Sequence, residues 1–273
     1  MRHVKRFTAE QRILHGIVMS TFLGLTATGI PLLFSHAAWA RVLAACFGGF
    51  KGAGVLHRVF GVTLLGALVW HLSRILWRVL VNRERGVLWG PGSMVPQPRD
   101  FVDFGRQARW FLGQGPPPAF EQFTYWEKFD YWAVLWGTAL MGAAGLVLWF
   151  PEAASRVLPG WMFNVALLVH GAEAALAIGF IFVVHFFNGH LRPGKFPMDL
   201  VIFTGSVPDS ELRHERAGQY ERLKRSGELE RLIVQPPPRD EVRRAYVYGT
   251  IGLTLGVGLF VLIAYAVLTS RSG

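Results

Sequence analysis

Charged residues are missing from long stretches of this chain. Tyr131 to Phe150 is a run of twenty residues without Asp, Glu, Lys or Arg, which is the length that an α-helix needs to cross about 30 Å of hydrocarbon. A chain that is 52% hydrophobic and only 17% charged is also too apolar for one long water-soluble domain. The sequence therefore predicts a membrane protein.

Five apolar stretches of about 20 to 25 residues are each long enough for one membrane helix. They are Ile13–Phe34, Leu56–Leu80, Asp130–Phe150, Phe163–Phe187 and Tyr246–Leu268. The first ends at Ile30-Pro31 without a small-residue cleavage site, so it is interpreted as a helix and not as a cleaved signal. The predicted fold class is an all-α membrane protein.

The basic residues predict the orientation of these helices. The connections on one side carry four, seven and eleven Lys and Arg, if Arg78 in the last turn of the second stretch is counted with the connection that follows it. The other side carries four, which are Arg41, Lys51, Arg156 and Arg271. The positive-inside rule then places the N-terminus in the cytoplasm and the C-terminus in the periplasm, in a bacterial inner membrane. The net charge of +10 is therefore interpreted as a topology signal and not as a nucleic-acid surface.

Three segments follow from this topology. Residues 1–190 form a four-helix transmembrane bundle with a cytoplasmic loop at 82–127, residues 191–244 form a second cytoplasmic loop, and residues 245–273 form a fifth C-terminal transmembrane helix. In the first loop, Phe101, Phe104, Ala108, Phe111 and Leu112 recur at helical spacing, which predicts a short interfacial helix in an otherwise extended segment. In the second, 209–232 has a helix-like pattern of acidic and basic residues.

Cysteine is nearly absent, because Cys46 is alone. One cysteine excludes an internal disulfide, a four-thiolate iron–sulfur cluster and a Cys-x-x-Cys-His haem attachment site. Any redox cofactor must be held by other side chains.

Histidines are placed in pairs along two predicted helices that run in the same direction. Fourteen residues separate His57 from His71 and fifteen separate His170 from His185, so each pair spans about 21 to 22 Å of helix. The two imidazoles of a pair point in directions that differ by roughly 40° and 60° respectively. Imidazoles therefore meet at two depths, one near each membrane face.

This arrangement fits haem, because porphyrin iron has two axial positions and its apolar ring is soluble in a helix bundle. The outer pair would be His57 and His170. The inner pair would join His185 to either His15 or His71. A third haem also stays open, which would use His71 and His190 in addition to His15 and His185. Otherwise, His71 could hydrogen-bond a propionate or a quinone, and His190 could be solvated.

Two arginines accompany these histidines. Arg58 follows His57 and Arg74 lies three residues after His71, so both are candidates to neutralise haem propionates. The alternative is that they extend to the headgroups. Glu173, one turn after His170, could carry protons, hold a haem group or be a protonated structural residue.

Several motifs resemble the di-haem b-type cytochrome subunit of membrane-bound formate dehydrogenase. They are Arg12-Ile-Leu-His15, Thr28-Gly29-Ile30-Pro31, Leu56-His57-Arg58 and the histidine pair of the fourth helix. The resemblance covers helices one to four and implies that His15, His57, His170 and His185 bind two b haems. His71 departs from that pattern and is more similar to the paired histidines of cytochrome bc complexes, and the fifth helix lies outside the resemblance.

Two further segments, 123–132 and 185–199, resemble b-type cytochromes that accompany multi-haem c-type cytochromes. This resemblance implies a subunit that transfers electrons between the quinone pool and a periplasmic multi-haem c-type cytochrome or iron–sulfur subunit. It also implies a quinone site near the inner haem, for which Arg12, Lys128, Asn188 and His190 are the candidates.

Two other functions stay open. The chain could be a stand-alone transmembrane haem reductase, or a non-redox transporter or anchor whose histidines bind metal or protons. Glycines of the fifth helix, Gly249, Gly252, Gly256 and Gly258, favour close helix packing, and we expect contact with a partner subunit there.

Overall fold

The computed structural model describes residues 2–270. Arg271, which the charge count includes, and the rest of the predicted segment 245–273 beyond Ser270 lie outside the described residues. Twelve α-helices are found in the described part of the chain. In chain order they are α1 (Ala9–Leu33), α2 (Ala38–Ala45), α3 (Gly49–Leu80), α4 (Pro98–Phe111), α5 (Tyr125–Trp149), α6 (Pro151–Ala154), α7 (Trp161–Gly179), α8 (Val201–Thr204), α9 (Asp209–Glu215), α10 (Ala217–Ser226), α11 (Leu229–Leu232) and α12 (Arg239–Ser270).

Five helices of residues 2–270 are long and apolar enough to cross a membrane. They are Ala9–Leu33, Gly49–Leu80, Tyr125–Trp149, Trp161–Leu191 and Arg239–Leu268. The five predicted spans and the all-α membrane fold are confirmed. Four of the five helices begin four to seven residues before the predicted apolar stretch, and the fourth begins two residues before it, because the first turns of a membrane helix can lie among headgroups and need not be apolar.

Capping side chains explain two of these starts. Thr8 and Gln11 bond reciprocally to each other's backbone N–H at the start of α1, and Thr124 and Glu127 do the same at the start of α5. Both are the Ser/Thr-x-x-Glu/Gln capping box, which satisfies backbone donors that have no intrahelical partner.

The fourth span changes its winding before it ends. α7 continues directly into two π-helical segments, Phe180–His185 and Phe187–Leu191. The wider i→i+5 turns of a π-helix are rare and occur frequently at functional sites. His185 and His190 both lie in this segment, so the α-helical angle predicted between His170 and His185 does not hold.

The chain divides into two compact units. The bundle unit comprises Ile13–Val69, Val134–Asp199 and the described part of Arg244–Gly273, and the loop unit comprises the described part of Met1–Arg12 with Trp70–Ala133 and Leu200–Arg243. Glycines allow close helix contacts in the bundle unit. A Cβ on Gly24 of α1 would collide with Phe60 of α3, and a Cβ on Gly142 of α5 would collide with Leu65 of α3. Both α1 and α5 therefore pack tightly against α3.

The loop unit contains the only strands of residues 2–270, which the sequence did not predict. Strands β1 (His3–Lys5), β2 (Ser206–Pro208) and β3 (Ile233–Val234) form an antiparallel sheet in the order β2-β1-β3. The sheet and helices α9 to α11 enclose a small core of Val4, Val207, Leu212, Leu223 and Leu229. The predicted second loop, 191–244, therefore contains a folded core, and the N-terminal strand is part of it.

Ion pairs surround this core. Glu127 accepts a hydrogen bond from Arg216 at 2.8 Å and lies 3.7 Å from Arg6. The three residues come from the three chain segments of the loop unit, so this cluster joins them. The predicted helix of the first loop is α4, and a 3₁₀ turn at Arg85–Val87 precedes it.

Candidate haem site

His57 of α3 is held by a hydroxyl of α1. Its Nδ1 lies 3.1 Å from Thr28 Oγ1, and the Thr28 hydroxyl donates its own hydrogen to the Gly24 carbonyl at 2.7 Å. The hydroxyl oxygen therefore accepts from Nδ1–H, which leaves the His57 Nε2 lone pair available. Fixing the second ring nitrogen in this way is typical of a histidine that binds a metal.

His170 of α7 is held in the same way by the backbone of α5. Its Nδ1 lies 3.2 Å from the Met141 carbonyl oxygen. A carbonyl can only accept, so Nδ1 carries the hydrogen and Nε2 is again the nitrogen with a free lone pair. In residues 2–270 no hydrogen bond to Nε2 is found for His57 or His170.

Glycines make room for both rings. A Cβ on Gly29 would lie 3.0 Å from His57 Cε1, and a Cβ on Gly145 would lie 3.2 Å from His170 Cε1. Such approaches are tighter than ordinary van der Waals contact, so a larger residue would displace the imidazole. The backbone of α1 and of α5 thus sets the position of each ring.

The two rings lie at a separation that would let both residues hold one iron between them. Their centroids are 6.2 Å apart, with 68° between the ring planes. If both Nε2 atoms held one iron at about 2 Å, with each ring centre about 1 Å behind its nitrogen, the two ring centroids would be about 6 Å apart. The structure thus brings the predicted outer pair together at a separation that suits a haem iron.

The inner histidines form a second group in the bundle unit. His15, His185 and His190 are close enough that the charge of each imidazole acts on another member of the group. The His190 ring is fixed at Nδ1, which accepts a hydrogen bond from the Asp199 backbone N–H at 3.3 Å. Phe186 packs edge-on against His190 with 6.2 Å between ring centroids.

His71 lies in the loop unit and already has a partner. Its Nε2 is 2.8 Å from the Tyr131 hydroxyl, and the two rings pack edge to face. Arg74, three residues later, forms an ion pair with Glu10 at 3.0 Å. Arg74, which was a candidate to neutralise a haem propionate, is therefore already neutralised by the carboxylate of Glu10.

Arg58 extends over Trp149 of α5, with 5.5 Å between its Cζ atom and the ring centroid. It lines an outward-facing groove with Val55, Val59 and Val62 of α3. His57 lies about 200° around the helix from Val55. Arg58 thus belongs to a side of α3 that faces away from the His57 imidazole.

The quinone-site candidates are divided between the units. In the loop unit, Arg12 pairs with Glu241 at 2.7 Å, and Lys128, only 6% of whose residue surface is exposed, pairs with Asp100 at 2.8 Å. Asn188 and His190 are partly buried in the π-helical segment of the bundle unit. Only Asn188 and His190 thus lie in the same unit as His15 and His185.

Glu173 lies on the same side of α7 as His170, one turn later. Its Oε1 is 3.1 Å from the position that a Cβ on Gly137 would take. Gly137, Met141 and Gly145 follow one another at intervals of four, so one side of α5 receives both polar side chains of α7. The Glu173 carboxyl thus lies in the space that Gly137 leaves by having no side chain. No ion pair to this carboxyl is found in residues 2–270.

Two glycines of α12 lie within the bundle unit and not on a free surface. A Cβ on Gly252 would lie 3.4 Å from the Met19 sulfur, and one on Gly256 would collide with Phe186 and Phe182. The expectation that these glycines contact a partner subunit is thus wrong for Gly252 and Gly256, because α1 and the fourth span already cover them.

Sequence reasoning missed the groups that orient the imidazoles. Thr28 and Gly29 belong to the Thr28-Gly29-Ile30-Pro31 motif, which resembles the formate dehydrogenase cytochrome. A hydroxyl beside a glycine on a membrane helix could have indicated that they contact a histidine. The Met141 carbonyl and the hydroxyl of Tyr131 had no signal, because a backbone acceptor carries no residue signature and a tyrosine near a helix end is common at membrane interfaces.

Known proteins share the part of the chain that holds this site. A family model described as prokaryotic cytochrome b561 matches residues 6–191. The cytochrome b556(fdo) subunit of formate dehydrogenase from Escherichia coli strain K12 is 24% identical over 186 residues, which are 67% of this chain and 77% of that protein. The same subunit from E. coli O6:H1 and O157:H7 gives the same values. The family match ends with the fourth span, so α12 lies outside it.

Proposed function

The chain belongs to the prokaryotic cytochrome b561 family, and on that premise we propose that it binds two b haems and transfers electrons across the membrane between the quinone pool and a periplasmic redox partner. Membership makes it a multi-pass b-type cytochrome of the bacterial inner membrane that acts in electron transfer. The number of haems, their ligands, the partner and the orientation are the parts that we propose.

The observation that carries the proposal is the pairing of His57 with His170. Both Nδ1 atoms are occupied, by Thr28 and by the Met141 carbonyl, and the rings lie 6.2 Å apart. We assign the outer haem iron to the two Nε2 atoms. A bound haem supplies a one-electron ferric/ferrous couple; the protein fixes the tautomer of both ligands and excludes water from the iron.

We assign the inner haem to His15 and His185. The proximity of His15 to both His185 and His190 is consistent with this choice. His71 is not assigned, because its Nε2 is bonded to Tyr131. His190 is fixed at Nδ1 and lies near His185. We assign it to a hydrogen bond with the quinone. We do not assign a third haem, because His71, which it would need, lies in the loop unit with its Nε2 bonded to Tyr131.

The quinone site belongs near the inner haem in this proposal. Asn188 and His190 are the residues that we assign to it, because they lie in the π-helical segment that carries His185. Arg12 and Lys128 are already paired with carboxylates, so we do not assign them to the site. The related E. coli protein is named as a subunit of formate dehydrogenase, and we propose that this chain is likewise the membrane subunit of a larger complex.

Proteoliposomes test the electron-transfer function. A reduced quinone analogue added anaerobically should reduce both haems of the wild-type chain. In His190→Ala we expect slower reduction with unchanged haem content, whereas His214→Ala, at an exposed position of α9, should behave like wild type. Haem that dithionite reduces but that no quinol analogue reduces would contradict the quinone link.

A further inference from the structure

Helix α4 has an unusual distribution of polar and apolar residues, because its polar side faces the protein. Asp103 and Gln107 are buried, with only 5% of the Asp103 side chain exposed. Asp100 lies on the same side and binds Lys128 through both carboxylate oxygens, at 2.8 and 3.0 Å. The side that contacts the rest of the loop unit is therefore the polar side.

A second side of α4, about 100° around the helix from the polar side, is apolar and exposed. Phe101 and Phe111 expose 77% and 72% of their surface, and Leu112, directly after the helix, exposes 72%. Phe104 is also more than half exposed. A soluble helix places such residues in the core, so an outward apolar side needs another apolar medium or a partner.

The position of α4 on the chain indicates which medium is available. Asp100 bonds to Lys128 in the first turn of α5, and the Phe104 ring packs edge-on against Tyr125, with 5.5 Å between centroids. Tyr125 is the first residue of a helix that is long and apolar enough to span the membrane. These two contacts hold α4 at the level where α5 enters the bilayer.

Charge favours a lipid surface over a protein. Arg106 and Arg109 lie on the remaining exposed side of α4, and the Arg106 side chain is 58% exposed. Arg109 is about 100° from the centre of the apolar side, which is where a basic side chain reaches lipid phosphates when the apolar side is immersed.

We propose that α4 is a membrane-surface helix whose apolar side, formed by Phe101, Phe104, Phe111 and Leu112, is inserted among the lipid acyl chains of the leaflet at which α5 begins. Arg109 lies at the level of the phosphates, and Arg106, about 170° from the centre of the apolar side, points toward water. The inserted helix ties the loop unit to the lipid surface by a contact that is independent of the haem ligands.

Spin labels test this placement in the full haem-loaded chain. Single cysteines replace Phe101 or Leu112 in a Cys46→Ser background, and Arg106→Cys on the other side of α4 is the matched control. The chains are placed in lipid nanodiscs of phosphatidylethanolamine and phosphatidylglycerol. The ratio of collision with oxygen to collision with a water-soluble nickel chelate should be several-fold higher at 101 and 112 than at 106.

Two results would overturn the proposal. Equal ratios at the three positions would mean that the apolar side faces water. A label at 101 that neither reagent reaches would mean that protein covers it. The haem spectrum and elution volume show whether each variant is folded, and Phe111→Cys replaces Phe101→Cys if that variant is not.

Discussion

The imidazole rings of His57 and His170 lie with their centroids 6.2 Å apart, and neither ring is free to turn, because Thr28 and the Met141 carbonyl hold the Nδ1 atoms. The two proposed ligands are therefore oriented by α1 and α5, which carry neither of them. An iron site of this kind depends on four helices, and its stability should respond to changes at residues that never touch the metal.

Replacing Thr28 by Val should weaken the outer site. The substitution preserves shape but removes the acceptor of the His57 Nδ1–H, and loss of such an outer partner typically costs about 10- to 100-fold in metal affinity. Haem titration of the apoprotein measures the change. Thr63→Val is the control, since the Thr63 hydroxyl bonds only within α3, to the Val59 carbonyl, and equal losses in both variants would contradict the orienting role.

Gly29→Ala should reduce haem content. The added methyl group would lie 3.0 Å from His57 Cε1, so the imidazole must move away from its position opposite His170. Gly16→Ala on the same helix, where a Cβ meets nothing within 4 Å, should retain full haem. The measurement is the Soret absorbance per chain after purification, and full haem in Gly29→Ala would argue that His57 is not held against α1.

Gly256→Ala should destabilise the packing of α12. Its methyl group would come within 2.6 Å of the Phe186 ring, and overpacking of this kind costs about 1 to 3 kcal/mol. Because Phe186 neighbours His185, the spectrum of the inner haem should also change. Thermal unfolding in detergent measures the change, and Gly258→Ala is the control, because a Cβ at that position meets nothing within 4 Å. Equal melting temperatures for the Gly256→Ala and Gly258→Ala variants would contradict the packing of α12 in the bundle unit.

Glu127→Gln should loosen the loop unit. Arg216, whose side chain is only 9% exposed, loses its carboxylate partner, and breaking a buried ion pair costs about 3 kcal/mol. Hydrogen exchange should become faster in β1 and in α10 and stay unchanged in the middle of α7. Glu228→Gln at an exposed position is the control, and unchanged exchange in both variants would mean that the pair adds no stability.

The sheet of the loop unit should also respond to acid. Burial lowers the pKa of His3 below its ordinary value of 6.5, so the unfolded chain binds the proton more readily than the folded one. The stabilising contribution is then present above about pH 6.5 and is lost as the pH falls through the lower folded value. Exchange of β1 amides, corrected for the intrinsic rate, should increase between pH 7.5 and 5.5 in wild type and not in His3→Gln.

Much of the bundle could be predicted because each span repeats one simple signal, an apolar run of membrane length. The spacing of the histidines along each span could be calculated for the same reason, since helical rise is regular, and their two depths in the membrane stay a prediction. The π-helical segment at His185 was not predicted, because π winding is rare and no residue pattern in this segment distinguishes it from α winding.

The loop unit shows a different limit. Its sheet joins residues 3–5 to 206–208 and 233–234, and strands of two or three residues are too short for a period-two pattern to be recognised. The buried pairs of Glu127 and Lys128 were likewise hidden, because a charged residue near a span resembles an ordinary topology signal. Helix α4 was predicted because five apolar residues at helical spacing gave a pattern long enough to detect.

Haem content per chain tests the central assignment most directly. A pyridine haemochrome assay should give two b haems for the wild-type chain and one for each of His57→Ala, His170→Ala and the double variant, since both residues serve the same iron. His36→Ala, at an exposed position, should keep two. A double variant that retains two haems with an unchanged spectrum would contradict the assignment of His57 and His170 to one iron.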